Sequence, residues 1–163
     1  MKKFELVAEM SKEFFGRKLF RIRALISFGN VEKGDLGGWV EQETNLDQDG
    51  NAWVYGNAQV YGNAWVSGDA RVYGNAWVSG NARVFGDAHW LVVGPVGSEN
   101  GFLSAFRQKD NSIMVRRGCF SGTIDEFEAA VKETHGDNEF SKEYLTLIPF
   151  IKLRLKDVEV SDD

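Results

Sequence analysis

Between Gly50 and Trp90, apolar side chains recur at two nested spacings. Valine stands at 54, 60, 66, 72, 78 and 84, and alanine stands two residues before each, at 52, 58, 64, 70, 76 and 82. Alternation of period two inside a period of six is strand spacing, so Val and Ala of each unit share one inward face. A Gly-Asn or Gly-Asp pair opens every unit and predicts a corner, because both residue types tolerate left-handed backbone angles. Helix is excluded: a glycine every six residues would cost about 1 kcal/mol each relative to alanine. The seven units read GNAWV, GNAQV, GNAWV, GDARV, GNAWV, GNARV and GDAHW. Three strands and three corners close one triangular coil of eighteen residues, one rung of a solenoid.

Eighteen-residue spacing also predicts which outward side chains stack, since neighbouring coils lie about 4.8 Å apart. Trp53, Arg71 and His89 fall in one column, Gln59 and Trp77 in a second, Trp65 and Arg83 in a third. Tyr55 and Tyr73 form another outward column, with Tyr61 over Ser79 and Ser67 over Phe85 at the remaining sides. Trp above Arg is a cation–π stack. These columns either stabilise the coil alone or are covered, because so much outward aromatic surface is unusual for a soluble monomer. The cover could be a partner, another copy of the chain or the terminal segments. The register extends to Val40–Leu46 as one further step and to Trp90–Val96 as another, with two extra residues before Val54 read as a bulged corner. About three coils result, with Trp90 as a plug where the regular core ends.

The flanks read differently. Gly16 to Ile26 alternates, with Phe20, Ile22, Ala24 and Ile26 on one face and Leu19, Arg21, Arg23 and Leu25 on the other, and predicts a strand paired with Phe4 to Val7. Such a hairpin would blunt the open edge of the first coil. Arg17, Lys18, Arg21 and Arg23 make a basic patch, either ordinary strand solvation or, through Arg21 and Arg23, an anion contact. Lys33 to Trp39 is glycine-rich but lacks the lysine and hydroxyl of a phosphate-binding loop. After Val96, Leu103 to Arg107 and Ile113 to Phe120 predict two strands around the turn Lys109–Ser112. Thr123 and Glu126 form a capping box for a helix with Ile124, Phe127, Ala130 and Val131 inward, closed by Gly136. A second helix is expected from near Ser141, with Tyr144, Leu145 and Ile148 inward, until Pro149 kinks or ends it. The expected organisation is an N-terminal β cap and connecting loop over 1–38, a β-helix over 39–96, an α+β cap (ββαα) over 97–157 and a loose acidic tail over 158–163.

Composition narrows the function classes. A hydrophobic content of 43% excludes a disordered chain, and a net charge of −5 argues against general nucleic-acid binding. The single cysteine, Cys119, cannot form an internal disulfide, which fits a reducing compartment, and the cytoplasm is the expected location. The first fifteen residues start basic but lack an apolar run and a cleavage site, so no signal peptide and no membrane span are expected. Asn51, Asp69 and Asp87 share a corner column, yet asparagine at most other corners points to turn geometry, and no metal is expected. Cys119 beside Arg116 and Arg117 reads as a packed small hydrophobe more readily than as an activated thiol.

The repeat, an aliphatic residue with a small residue four positions later, resembles the hexapeptide repeat of the left-handed parallel β-helix from Val40 to about Val96. The resemblance implies the left hand, against the general crossover preference. Many proteins of that fold are acyltransferases using acyl-coenzyme A and a histidine base. Here the candidates are His89, whose neighbour Arg71 is expected to lower its basicity, and His135, at a helix C-terminus, and no long loop interrupts the repeats. The whole chain also resembles a family of small proteins encoded in bacteriophages and prophages. The landmarks are Leu19-Phe-Arg-Ile-Arg-Ala-Leu25, Gly34-Asp-Leu-Gly-Gly-Trp39, the GNA units, Gly94-Pro-Val-Gly-Ser98, Gly118-Cys-Phe-Ser-Gly-Thr123 and Lys132-Glu-Thr-His-Gly-Asp137.

That resemblance implies a non-enzymatic accessory binding protein in the host cytoplasm, without cofactor. It is expected to self-associate as a dimer or trimer and to bind a host protein or small ligand, inhibiting a host anti-phage system. Trp53, Trp65, Trp77, Arg71, Arg83, His89, Tyr55 and Tyr73 are the candidate contact residues. Acyl transfer and a virion-associated structural role are the alternatives.

Overall fold

The computed structural model describes residues 2–118 and 120–157. Cys119 and the acidic tail, subjects of two expectations above, lie outside the described residues. The repeat forms six two-residue strands: β4 (Trp53–Val54), β5 (Gln59–Val60), β6 (Trp65–Val66), β7 (Arg71–Val72), β8 (Trp77–Val78) and β9 (Arg83–Val84). Each pairs parallel with the strand eighteen residues away, Trp53 with Arg71, Gln59 with Trp77 and Trp65 with Arg83. The twelve Val and Ala positions of these units are at most 1% exposed. Removing six valines from water, at roughly 1.5 to 3 kcal/mol each, is the main force closing the coils.

Glycine alone makes the left-handed corners. Gly50, Gly56, Gly62, Gly68, Gly74 and Gly80 have φ between +57° and +75°, whereas the following Asn and Asp do not enter that region. At Gly68 a Cβ would also lie 2.6 Å from the Phe85 carbonyl oxygen of the next coil, so only hydrogen fits. Gly86 is not left-handed, and the regular repeat stops there.

The strand expected to continue the coil does not. β10 (Trp90–Val96) turns away and pairs antiparallel with β11 (Gly101–Arg107), followed by β12 (Ile113–Arg117) and β13 (Phe120–Thr123), in one four-stranded sheet. Trp90, 6% exposed, still plugs the solenoid core, so its period fits while its backbone belongs to the cap. Gly118, with φ +58°, breaks the single strand expected over 113–120 into β12 and β13.

Helix α1 (Ile124–His135) begins with the Thr123–Glu126 capping box and ends at Gly136. α2 (Glu139–Arg154) starts earlier than expected, on an Asn138 cap, and runs through Pro149. It continues because Ile151 and Leu155, 0% and 2% exposed, extend its buried stripe, and that burial outweighs the hydrogen bond lost at proline.

At the other end, β1 (Phe4–Phe14) and β2 (Arg17–Ala24) form a hairpin longer than expected, closed by a two-residue turn with positive φ at Phe15 and Gly16. A register shift between Leu6 and Ser11 bends the ribbon, and the predicted face alternation fails at Leu19, which is fully buried. β2 pairs with β3 (Leu36–Val40), and β3 pairs parallel with β5, so the hairpin continues one solenoid face as the sheet β1-β2-β3-β5-β8.

Backbone groups alternate in direction along each rung, so the first and last rungs both leave N–H and C=O groups without a neighbouring rung to pair with. Asn51 and Trp53 donate forward to Gly68 and Ala70, leaving the Gly50 and Ala52 carbonyls unpaired by backbone. The Lys3 Nζ donates to both, at 3.4 and 2.7 Å, from a side chain 1% exposed. Asn45 Nδ2 likewise donates to the Gly62 and Ala64 carbonyls. At the far end side-chain acceptors take the N–H groups: Ser104 Oγ from Trp77, Gln108 Oε1 from Asn81, Asp87 Oδ1 from Arg71 and His89 Nδ1 from Phe85. Side-chain donors thus take carbonyls left bare at the first coil, and side-chain acceptors take N–H groups left bare at the last.

Candidate functional site

The three outward columns exist in the predicted register, but their surroundings differ. On the β4–β7 face, Trp53 is 1% exposed rather than outward and free. Phe4 and Phe28 pack edge-on against it, with ring centroids at 6.3 and 5.3 Å, because the N-terminal segment folds over this side. Arg71 is exposed and gives Asp87 a bidentate bond, Nε and Nη2 to Oδ2 at 3.1 and 2.6 Å. Asp87 thereby leaves the acidic corner column for an arginine.

His89 does not stack above Arg71. Its Nδ1 accepts the Phe85 N–H at 3.0 Å, and its ring meets the Phe85 ring edge-on. Burial lowers its basicity, with Arg107 adding to the effect and a bond to the Asp157 backbone opposing it. The expected depression is therefore present, but its causes are burial and Arg107 rather than Arg71. Tyr55 is half-buried, and Tyr73 is exposed with its ring edge-on to Trp90 at 5.0 Å.

The β3–β5–β8 face is covered by the hairpin and the C-terminal sheet. Phe14 and Phe15 meet Trp77 at 4.9 and 5.6 Å, and Arg116 lies over the same ring at 5.9 Å. Lys12 and Arg21 lie over Trp39 at 4.4 and 5.1 Å. The basic patch is consequently engaged within the chain: Arg17 pairs with Glu41, Arg23 with Glu5, and Arg21 stacks on Trp39. The strand that carries these cations is itself the cover of an aromatic column.

The third face, of Leu46, β6 and β9, is open. Trp65 is 39% exposed. The Arg83 guanidinium lies over its ring at 5.8 Å and is anchored by Nη1 bonds to the Asn63 and Ala82 carbonyls, at 3.0 and 3.1 Å. The Phe85 ring meets Trp65 edge-on at 5.6 Å. A groove of about 1250 Å³ runs along this face. One rim is Gln42 to Thr44 with Asp47 and Gln48, and the other is Gln108 to Asp110. Sequence periodicity located Trp65 and Arg83 but not the rims. The first comes from the 3₁₀ turn Glu43–Asn45, and the second is brought in by the Ala82–Gln108 bridge, a contact between distant segments.

The parallel ladder at eighteen-residue spacing has a counterpart among known proteins. Residues 58–74 and 64–80 match a family model described as YdcK Beta solenoid repeat. The chain is mainly β, with a β-solenoid repeat and two C-terminal helices. The matched residues run from β5 to β8, inside the parallel ladder. No curated protein matches the chain. No described helix is long and apolar enough to cross a membrane.

Proposed function

We propose that this protein is a non-enzymatic binding module of bacteriophage origin. In this reading the solenoid is a left-handed hexapeptide-repeat β-helix of about three coils, and its β6–β9 face engages a molecule of the host cell. The observation that carries the reading is the unequal cover of the three faces. Terminal segments bury Trp53 and pack over part of Trp77, while Trp65 and Arg83 stand in an open groove. Self-association through the Trp53 and Trp77 columns loses its surface, and Trp65 inherits the recognition role. His89 accepts the Phe85 backbone N–H at the last coil, which supports a structural rather than a catalytic duty.

The test is Trp65→Ser in the full chain. Loss of partner capture from host lysate, with the unfolding midpoint little changed, supports the proposal. Unchanged capture, or unchanged infection in cells carrying the variant, overturns it. Native mass measurement of both proteins separates a host partner from a second copy of the chain.

A further inference from the structure

The groove's lining identifies the chemistry it can take. Thirteen residues line it, and only Trp65 and Leu46 are apolar, with Leu46 just 1% exposed. A protein-binding surface is normally built around a desolvated cluster of apolar and aromatic side chains, which a single indole among polar residues does not supply. The charges nearly balance, Glu43, Asp47 and Asp110 against Arg83 and Lys109, so the groove does not select a polyanion. Five of the thirteen side chains are carboxamides; Gln42, Gln48 and Gln108 are held by bonds within the chain, and Asn63 and Asn81 stand exposed in the groove.

We infer that the β6–β9 groove binds a neutral oligosaccharide, with Trp65 as the stacking platform and Asn63 and Asn81 as hydroxyl readers. A pyranose presents an apolar C–H face, which packs on an indole, and pairs of hydroxyls at its rim. A carboxamide can donate and accept at once, matching such a pair. Asn63 and Asn81 are exposed and hold the same place in successive coils, eighteen residues apart. Their separation is therefore set by the coil spacing of about 4.8 Å. That rise is close to the length of one sugar residue, so consecutive coils can address consecutive sugars. Arg83 fixes the indole plane from one side, and its own anchoring on the Asn63 and Ala82 carbonyls holds it there without a ligand.

This inference rests on the reading of the β6–β9 face as the binding face. The experiment titrates the full chain by calorimetry with cellohexaose, chitohexaose and mannohexaose, with a hexagalacturonate as the anionic counter-probe. Binding of at least one neutral hexasaccharide is expected. It should weaken at least about tenfold in Trp65→Ala and roughly three- to tenfold in Asn63→Ala or Asn81→Ala, the scale of one hydrogen bond. Leu153→Ser, at an exposed position of α2 that does not line the groove, should bind like the parent. If no neutral probe binds while Trp65→Ser still abolishes partner capture, the oligosaccharide is overturned and the binding face stands. If Trp65→Ser alters neither sugar binding nor capture, both are overturned. Sugar binding insensitive to Trp65 and to both asparagines, or binding of the hexagalacturonate alone, also overturns the inference. The asparagine variants decide the matter should Trp65→Ala fail to fold.

Discussion

Trp65 and Trp77 come from the same five-residue unit, GNAWV, and end in different environments, one exposed and one half-buried. Trp77 lies under Phe14, Phe15 and Arg116, whereas Trp65 keeps 39% of its surface, with Arg83 and Phe85 of its own face against it. Nothing in the unit itself distinguishes them. The difference is made by segments far away in the chain, the hairpin and the C-terminal sheet, which reach one face of the triangle and not the other. A repeat thus specifies where an aromatic ring stands, and the non-repeating ends specify whether it becomes core or surface.

The sharpest way to break that comparison is at the most deeply covered ring. Trp53→Ala should destabilise by about 3 to 5 kcal/mol, read from urea unfolding midpoints. A loss under about 1 kcal/mol would mean that the N-terminal segment does not pack on this face.

The next effect tests the same cover through its buried lysine. Burial pushes the Lys3 ammonium down from 10.5 to about 8, against the opposing pull of Asp47 and Asp49. Between those values the unfolded chain holds the proton more tightly than the folded one, so stability from this group rises with pH from about 8 to 10.5 and is lost as pH falls through 8. The stability of the parent minus that of Lys3→Met should therefore increase by up to roughly 3 kcal/mol across the window. A flat difference would place Lys3 in solvent.

Smaller again is the direct contrast of the two rings. Trp77→Ala should cost about 2 kcal/mol and loosen the hairpin, visible as faster amide exchange in β1 and β2. Trp65→Ala should cost under about 1 kcal/mol with exchange unchanged. Equal losses would erase the distinction between covered and open faces. The least shift of the urea midpoint is expected from Arg71→Ala, smaller than that of Trp65→Ala, because its bond to Asp87 is an exposed ion pair.

Much of this arrangement was legible in the chain. The parallel partners Trp53–Arg71, Gln59–Trp77 and Trp65–Arg83 follow from the six-residue period, because local alternation and glycine corners admit one coil length. The α1 capping box was legible for a similar reason, since its bonds join residues three apart. Trp90–Val96 misled because its apolar spacing suits both a rung and an antiparallel strand, and only pairing with Gly101–Arg107 decides between them. Pro149 misled because a local rule for ending helices ignores the burial waiting at Ile151 and Leu155. Arg21 and Arg23 looked like a patch in one dimension, but each meets a partner supplied by another strand.

The sequence by itself determined the coil, its core of valine and alanine, and the columns of outward residues, because these depend on interactions repeated at short, fixed intervals. Tertiary structure alone decided which column is a site. Cover depends on non-local packing of unique segments, whose contacts carry no period. The same packing supplied the side chains, Lys3 and Asn45 at one end and Ser104, Gln108, Asp87 and His89 at the other, that satisfy the backbone groups an unclosed parallel stack leaves bare.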